Sequence, residues 1–325
     1  MIAHVARTAI VVLVLYGPVA ASERALWIDT DPACAIGSTH DVDDCWAIIA
    51  ALRADNLQVI GLSTVFGNTD LGKATATAQA LLDMVAIHEP GHPLPPVTQG
   101  ASQPIRHQRE IPAAVNELAK SLTTQRLTVL ALGPLTNTAL LLREHPDLIA
   151  HIEAIVAVAG QQPDQVFRVG NTPIVHLHDF NVRKDPEAFE IVLRSGIPIF
   201  LIPFEVAQHV VVTRTDIRTL EQRGGLDAWL ASRSRPWLEF WETGLGATGF
   251  FPFDALAVAY LVTPKDFSCH DIPARVIRRH GLLFVRDTLE VSYSFEGTAT
   301  VRYCSDIARS IRESPIMVLP PRNTE

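Results

Sequence analysis

Acidic residues cluster near the N-terminus, in the segment ALWIDTDPACAIGSTHDVDDCWAII. Asp29 and Asp31 end a short apolar run typical of a β-strand, whereas Asp43 and Asp44 open a segment with helical spacing of apolar residues. In a parallel α/β sheet, the carboxyl end of a strand lies beside the start of the next helix, so these side chains would meet. Converging carboxylates repel one another unless a proton or cation lies between them, and hard cations such as Ca²⁺ and Mg²⁺ prefer oxygen ligands. The pattern therefore predicts a metal or catalytic site.

Helix capping is the alternative explanation for part of this pattern. Acidic residues in a first helical turn complement the helix dipole, so Asp43 and Asp44 could serve the helix alone. That role leaves Asp29 and Asp31, at the end of the strand, without an explanation. A functional cluster accounts for all of the acids and is favoured.

The elements that would position these acids alternate along the first two-thirds of the chain. Strand-like runs such as LQVIGLSTV, LTVLALG and IEAIVAVAG alternate with helix-like segments. One helix, DPEAFEIVLRSG, is predicted to have Asp185 as N-cap, Pro186 at its first position and Gly196 as C-cap. IPIFLIPF is typical of a fully buried parallel strand, and residues 89–112, rich in Pro, Gly and His, are expected to be loop. The fold class predicted is α/β, a mostly parallel Rossmann-like open sheet with helices on both faces.

Composition narrows the class of protein. The 325 residues are 48% hydrophobic with a formal charge of −8, which suits one large core and offers no basic stripe for nucleic acid. Residues 1–21 have the pattern of a cleaved signal peptide, with Arg7, an apolar run and a small-residue end. The uncharged stretch of 15 residues is shorter than the ~20 residues that span a bilayer. We therefore expect residues 22–325 to form a single periplasmic or secreted domain that has no membrane contact.

The four cysteines are too few for a disulfide scaffold and lack the Cys-x-x-Cys spacing of zinc sites. Because the expected compartment is oxidising, Cys269 and Cys304 in the C-terminal strand region are predicted to pair. Cys45, on the helix after the acids, is expected to be a buried free thiol, with a Cys34–Cys45 bond as the weaker possibility.

Five motifs occur along the chain in the order found in calcium-dependent nucleoside hydrolases. They are DTDP with DVDD, STVFGN, LALGPLTNTALLL, DFNVRKDPEAFEIVLRSGIPI and PFDALAVAYLV. From about Trp27 to the C-terminal strands, the chain resembles this family. The resemblance implies an N-glycosidase that splits ribonucleosides into ribose and free base with a Ca²⁺-bound water, in purine and pyrimidine salvage. The implied partner is a nucleoside or another ribosyl substrate, and a homo-oligomer is left open.

The resemblance also implies which residues form the site. Four groups would bind Ca²⁺: the carboxylates of Asp31, Asp44 and Asp254 and the backbone carbonyl of Leu132. Asp31 would also be the general base. Contacts to ribose would come from Asp43, through the 2′-OH, and from Asn68, Asn171, Asp179 and Asn181. Asn137 is instead expected to cap or turn the backbone locally.

Three departures from the family fall on the half of the site that would face the nucleobase. ACAIGSTH is an insertion of eight residues between Pro32 and the DVDD motif. Phe253 stands where relatives usually have a histidine, a proposed leaving-group acid. Residues 100–127 lack the His-Gly-Glu/Asp-rich loop that closes over the base.

A histidine elsewhere is predicted to replace the missing acid, since imidazole titrates near neutral pH. His178, and His176 beside it in VHLHDFN, are the catalytic candidates, with His40 of the insertion as a lesser one. Their spacing puts both on one face of a strand, so outward-facing strand residues are the alternative.

Two other classes explain part of the pattern. A non-catalytic ribosyl-binding protein would keep the metal and lose turnover, which the loss of histidine at Phe253 permits and the presence of Asp31 opposes. A haloacid dehalogenase-type phosphatase also has D-x-D after its first strand, but Pro32 stands where that class needs a small β-branched residue or glycine. It also offers no role for the DFN motif. Release of free ribose would separate these classes.

Overall fold

The computed structural model describes most of the chain, namely residues 23–34, 40–163, 165, 167, 169–170, 179–280, 285–313 and 319. The predicted signal peptide, Asn171, His176 and His178 lie outside these residues. Within them, no helix has the length and apolar character needed to cross a membrane.

The described part of the chain forms one mostly parallel sheet. Its strands are β1 Arg24–Thr30, β2 Leu57–Thr64, β3 Val97–Gln99, β4 Leu127–Ala131, β5 Ile152–Ala157, β6 Ile199–Leu201, β7 Phe267–His280, β8 Val285–Val291 and β9 Ala299–Ile307. Their order across the sheet is β3-β2-β1-β4-β5-β6-β9-β7-β8. All neighbouring pairs from β3 to β9 are parallel, and β7 runs antiparallel to both β9 and β8. The predicted mostly parallel sheet is confirmed.

Helices cover both faces of this sheet. They are α1 Asp43–Arg53, α2 Leu71–His88, α3 Ala113–Thr124, α4 Thr136–Glu144, α5 Phe180–Lys184, α6 Pro186–Leu193, α7 Phe204–Ala207, α8 Arg214–Arg223, α9 Gly225–Glu239, α10 Phe253–Val262 and α11 Arg309–Glu313. Side chains alternate along β1: Leu26 and Ile28 join a core with α1, α2, α9 and α10, whereas Trp27 joins one with α3, α4 and α6. Because successive strand residues point to opposite faces, these are the two sides of the sheet.

Three local predictions need correction. Asp185 caps α6 by accepting from the Ala188 N–H at 3.2 Å, but the C-cap is Arg194. Gly196, with φ 79°, comes two residues later, because the Ser195 N–H still bonds back to the Val192 carbonyl. β6 is only three residues long and Phe200 in it is half-buried. The segment 89–112 contains the edge strand β3, which pairs only with β2 and is too short to give an alternating pattern.

Both cysteine pairs form disulfides. Cys269 and Cys304 are register partners on β7 and β9 with Cα atoms 3.9 Å apart, so the predicted bond is confirmed. Cys34 and Cys45 are also bonded, with Cα atoms 6.4 Å apart. The free thiol expected at Cys45 is therefore wrong, and the weaker possibility, a bond from Cys34 to Cys45 on α1, is the one observed.

Candidate active site

The predicted acids meet at the carboxyl edge of the sheet. Asp31 follows β1, Asp43 and Asp44 begin α1, and Asp254 lies in the first turn of α10. Carboxylate oxygens of Asp43, Asp44 and Asp254 lie within 4.8 Å of one another, and all of these residues are buried. The packing of α1 beside α10 therefore joins acids that are about 210 residues apart in sequence.

Asp31 is held beside this group with one oxygen left unpaired. Its backbone N–H donates to Asp44 Oδ1 at 3.1 Å, and its Oδ2 accepts from the Asn68 N–H at 2.7 Å. Asn68 also donates through Nδ2 to Asp44 Oδ2 at 3.1 Å. Asp31 Oδ1 has no hydrogen-bond partner within the described residues, although Asp31 is 0% exposed. An unpaired buried carboxylate oxygen is costly unless a cation or proton meets it.

Two glycines leave room for the Asp31 carboxylate. A methyl group on Gly133 would lie 2.9 Å from Asp31 Oδ1, and one on Gly67 would overlap Oδ2. Both glycines belong to sequence motifs of the resemblance, STVFGN and LALGPLTN, but neither was predicted to matter. The backbone therefore approaches the Asp31 carboxylate closely on two sides, one at the unpaired Oδ1 and one at Oδ2.

Electrostatics favours a cation in this cluster. Burial, and next the neighbouring Asp44 charge, raises the pKa of Asp31 well above its usual range. Burial followed by the charge of Asp44 does the same to the pKa of Asp254, and for Asp43 the charge of Asp254 follows burial. Burial raises the pKa of Asp44 to about 6, against the hydrogen bond from Thr30. Without a cation the cluster retains protons, whereas an all-oxygen donor set of this kind suits a hard divalent metal.

The remaining predicted polar residues face one cavity of about 450 Å³. Leu132 follows β4, and its carbonyl accepts from Asn181 Nδ2 at 2.7 Å. Asn181 Nδ2 also donates to the Val158 carbonyl at 3.1 Å. This cavity is lined by Asp43, Asn68, Leu132, Asp179, Asn181 and Asp254 among others. The structure thus gathers onto one surface residues from five separate motifs.

Asp179 performs a backbone role at this surface. It is the N-cap of α5, with Oδ1 accepting from the Val182 N–H at 3.0 Å and Oδ2 from the Gly160 N–H at 2.6 Å. The residue is half-buried, and desolvation of its carboxyl group raises the pKa to about 6. Each of its oxygens therefore already accepts one backbone hydrogen bond.

Asp29 and Asn137 form a hydrogen bond with each other and do not line the cavity. Asp29 Oδ1 accepts from Ser63 Oγ and from Asn137 Nδ2, each at 2.7 Å. Asn137 Oδ1 accepts from the Ala101 N–H at 2.7 Å. The prediction that Asn137 acts locally is wrong, because its partners are 36 to 108 residues away. Asp29 belongs to a structural bridge between strands, so the predicted cluster loses this member.

Aromatic side chains, here called the aromatic wall, line another part of the same cavity. Trp237 stacks on Phe240 with ring centroids 5.3 Å apart and meets the edge of Trp241 at 5.9 Å. Phe253 lies 5.9 Å from Phe167, so the position usually held by histidine is part of this wall. The aromatic residues lining the cavity are Phe167, Phe180, Phe204, Trp237, Phe240, Trp241 and Phe253. The sequence analysis predicted no role for these residues, although the i, i+4 spacing of Trp237 and Trp241 puts both tryptophans on one helical face.

The inserted segment reaches the cavity through His40, and Asp41 follows it there. His40 Nδ1 is buried without a hydrogen-bond partner in the part of the chain that is described. The disulfide from Cys34 fixes the start of the segment to α1. Of the three histidines considered as leaving-group acids, His40 is the one whose position the structure describes.

Comparison with known proteins decides the family. The sequence profile of the inosine-uridine preferring nucleoside hydrolases matches residues 26–308. The chain belongs to this family. A probable uridine nucleosidase 1 of Oryza sativa subsp. japonica is 29% identical over 271 residues, covering 75% of this chain and 78% of that protein. The non-specific ribonucleoside hydrolase RihC of Escherichia coli O1:K1 is 28% identical over 270 residues, covering 75% and 80%.

The solved structures agree on the fold. A plant nucleoside hydrolase, the PpNRh1 enzyme, superposes with a TM-score of 0.76 at 21% identity, covering 92% of this chain and 98% of that one. This nucleoside hydrolase is therefore an enzyme with the α/β fold of its family, an N-glycosidase acting on ribonucleosides. The match removes the phosphatase interpretation, and it argues against a binding protein that lacks turnover.

Proposed function

We propose that the enzyme is Ca²⁺-dependent and that its metal lies between Asp31, Asp44 and Asp254. The observation that carries this proposal is the buried cluster of acids, one of whose oxygens, Asp31 Oδ1, has no hydrogen-bond partner among the described residues. Ca²⁺ takes six to eight oxygen ligands, so the Leu132 carbonyl, the Asp43 carboxylate and substrate hydroxyls can complete the shell. When bound, the ion would lower the pKa of water and orient the ribose diol.

Asp31 is the proposed general base. It lies at the end of β1 with Oδ2 fixed by the Asn68 N–H, so its other oxygen is held in one direction. A carboxylate so placed accepts a proton from the attacking water as the C1′–N bond breaks. The remaining carboxylates stabilise the positive charge that develops on the ribose ring in an oxocarbenium-like state.

The ribose is proposed to rest on the polar side of the cavity. Asp43 accepts from the 2′-OH, while Asn68 and Asn181 offer amide groups already oriented by hydrogen bonds to Asp44 and the Leu132 carbonyl. Asp179 would face the 5′ end, and Asn171 remains a predicted contact. The polar side therefore selects a sugar with a cis-diol.

The base is proposed to lie against the aromatic wall. Faces and edges of Trp and Phe rings pack well on planar heterocycles and make few demands on the hydrogen-bonding pattern of the base. Phe253 cannot donate a proton, so His178 remains the proposed leaving-group acid, with His176 and His40 as its competitors.

Release of free ribose, measured on a panel of purine and pyrimidine nucleosides, tests the proposal. Uridine leads the panel because relatives are named for it. We expect turnover that a chelator abolishes and that Ca²⁺ restores, and Asp254→Asn should need much more Ca²⁺ for the same rate. Turnover that is unaffected by exhaustive chelation would refute the metal dependence.

We also propose that the protein works outside the cytoplasm after removal of residues 1–21. The N-terminal pattern and the pairing of all four cysteines support this, since disulfides persist in oxidising compartments. Mass spectrometry of the mature protein should find Ser22 at the N-terminus and no free thiols. An intact N-terminus in the cytoplasmic fraction would overturn it.

A further inference from the structure

A second cavity adjoins the first at Arg183. It measures about 590 Å³, and Arg183 lines both cavities. Arg183 is exposed on α5, one helical turn after Asp179, and its backbone N–H bonds to the Asp179 carbonyl at 3.2 Å. The two cavities thus meet where the ribose pocket is proposed to receive the 5′ end of the sugar.

Charged side chains of both signs line the second cavity, four of each. Its cationic side chains are Arg106, Arg183, Lys184 and Arg278, and its acidic ones are Asp185, Glu187, Glu190 and Asp287. Three of the acids are already engaged. Asp185 accepts from the Ile105 and Ala188 N–H groups and from Thr136 Oγ1, Glu190 pairs with Arg194, and Asp287 pairs with Arg278.

Two adjacent cations of this cavity have no carboxylate partner. Arg106 donates to His107 Nε2 at 3.0 Å, and within the described residues neither Arg183 nor Lys184 is paired with an acid. Both instead lie over the ring of Phe180, with Arg183 Cζ at 5.5 Å and Lys184 Nζ at 4.6 Å from its centroid. A guanidinium and an ammonium side by side without a carboxylate partner can bind an anion.

At the proposed 5′ end of the ribose pocket, each oxygen of Asp179 already accepts one backbone hydrogen bond, from the Gly160 and Val182 N–H groups. Part of the acceptor capacity of this carboxylate is therefore already in use. A group that extends past Asp179 along α5 reaches Arg183 next. A guanidinium binds phosphate through two parallel hydrogen bonds, and a neighbouring ammonium adds a point charge.

We propose that the enzyme accepts ribosyl substrates that carry a 5′-phosphate, held by Arg183 and Lys184. The inference rests on the proposed function, because it places the ribose by the metal and the 2′-OH contact. In the reaction the C1′–N bond of a nucleoside 5′-monophosphate breaks and C1′ bonds to a water oxygen. The base leaves with a proton, and the phosphate stays on C5′, so the products are free base and ribose 5-phosphate.

The first test compares uridine with uridine 5′-monophosphate in the Ca²⁺-loaded full-length mature enzyme, measuring release of uracil. We expect kcat/KM for the monophosphate to exceed that for uridine by about tenfold or more, the effect of one good charge-assisted contact. Arg183→Ala should lower kcat/KM for the monophosphate by about tenfold or more, and by much more than it lowers kcat/KM for uridine. Arg183→Lys should keep part of the preference for the monophosphate, because charge remains and the bidentate geometry is lost.

A matched control separates this site from general charge effects. Arg218 is exposed on α8 and lines neither cavity, so Arg218→Ala should change neither substrate. Equal rates for the two substrates, or equal losses on both in Arg183→Ala, would overturn the inference and leave the proposed function intact.

Binding of ribose 5-phosphate and of ribose, measured by calorimetry, covers the case in which no uracil is released. The phosphate site stands without turnover if two results are found. Ribose 5-phosphate should bind about tenfold more tightly than ribose measured in the presence of free phosphate, and Arg183→Ala should abolish this difference. Equal binding of both sugars overturns it.

Discussion

The two sides of the main cavity are built by different means. On the carboxylate side, hydrogen bonds of 2.7 to 3.1 Å connect Asp31, Asp44 and Asn68 and orient both carboxylates. On the aromatic side, Trp237 and Phe253 are half-buried and held by ring contacts with centroids 5.3 to 6.0 Å apart. Ring contacts tolerate the exchange of one aromatic residue for another, whereas the ligands of a metal ion cannot be exchanged without loss of oxygen donors. The comparison teaches that the chemistry is fixed by one side while the choice of base is free to change on the other.

The largest expected effect comes from the carboxylate side. Asp31→Asn should lower kcat by about 10³-fold, because an amide cannot take a proton and general bases contribute 10²–10⁴-fold. The metal-free variant should unfold at no lower temperature than the parent at pH 7, since burial already disfavours the charged form of Asp31. Steady-state assays of ribose release and thermal unfolding would measure the two effects.

Asp83→Asn supplies the matched control, because Asp83 is an exposed aspartate on α2. It should leave both quantities unchanged. If Asp31→Asn keeps its turnover, Asp31 is not the base and the contrast between the two sides is wrong.

The carboxylate side was also the more predictable from sequence. Asp31, Asp44 and Asp254 occupy strand ends and helix starts, where the topology of a parallel sheet forces convergence. The alternation of strands and helices likewise predicted the parallel sheet and the helices on both of its faces, because parallel neighbouring strands need crossover helices. The prediction for Asp29 was wrong because the alternation along β1 indicates which face a side chain takes but does not indicate its partners. Ser63 and Asn137 lie on that face and bind Asp29.

The aromatic side could not be predicted in the same way. Trp237 and Trp241 share a helical face, but that spacing is equally typical of core packing. Only the turn of α9 into the π-helical segment Phe240–Gly244, followed by the return to α10, shows that this face borders a cavity. Likewise, nothing in the sequence shows that Arg183 separates two cavities.

The second prediction probes the aromatic side through the missing acid. A nitrophenyl riboside, whose leaving group departs as a stable anion, should be cleaved about 10²-fold or more faster than inosine or uridine. Phe253→His should narrow this gap by about tenfold, because it returns an imidazole to the cavity. The two kcat/KM values, measured side by side in each variant, give the ratio.

Alanine substitutions identify any replacement donor. His178→Ala, His176→Ala or His40→Ala should slow natural nucleosides much more than the activated riboside if that residue is the acid. Equal losses on both substrates would indicate a structural or ribose-binding role. Fast inosine cleavage that survives all three changes would leave solvent as the proton source.

The third prediction concerns pH and again separates the two sides. Burial raises the pKa of Asp44 to about 6 and those of Asp31 and Asp254 well above their usual range, so protons compete with Ca²⁺. Affinity for Ca²⁺ should fall by about tenfold per pH unit and per displaced proton as the pH falls through these values. Titration with a competing chelator dye at pH 5.5, 6.5 and 7.5 would measure it.

The metal-free protein should show the opposite trend in stability. An acid whose folded pKa is raised contributes stability that is complete below its unfolded pKa, near 3.8, and is lost as the pH rises through the folded pKa. Metal-free enzyme should therefore be more stable near pH 5 than near pH 8, and Ca²⁺ should close the difference. Trp241→Phe, on the aromatic side, should leave unchanged the pH dependence of Ca²⁺ affinity and that of metal-free stability. A change in either one would mean that the two sides are coupled.

The smallest expected effects on turnover come from the disulfides, one of which closes the loop that contains Asp43 and Asp44, whereas the other joins β7 to β9. Cys269–Cys304 spans 35 residues and Cys34–Cys45 spans 11, so the loop-entropy model gives losses of about 4 and about 3 kcal/mol in unfolding free energy on replacement by serine.

For turnover, the loss of the shorter disulfide should have the larger effect. The shorter loop contains Asp43 and Asp44, so its release should lower kcat a few-fold and weaken Ca²⁺ binding, whereas the Cys269→Ser/Cys304→Ser enzyme should turn over normally at a temperature where it remains folded. Denaturant titration beside assays at saturating Ca²⁺ would compare the pairs, and an equal loss of turnover in both would show that the metal cluster depends on overall stability and not on the local tether.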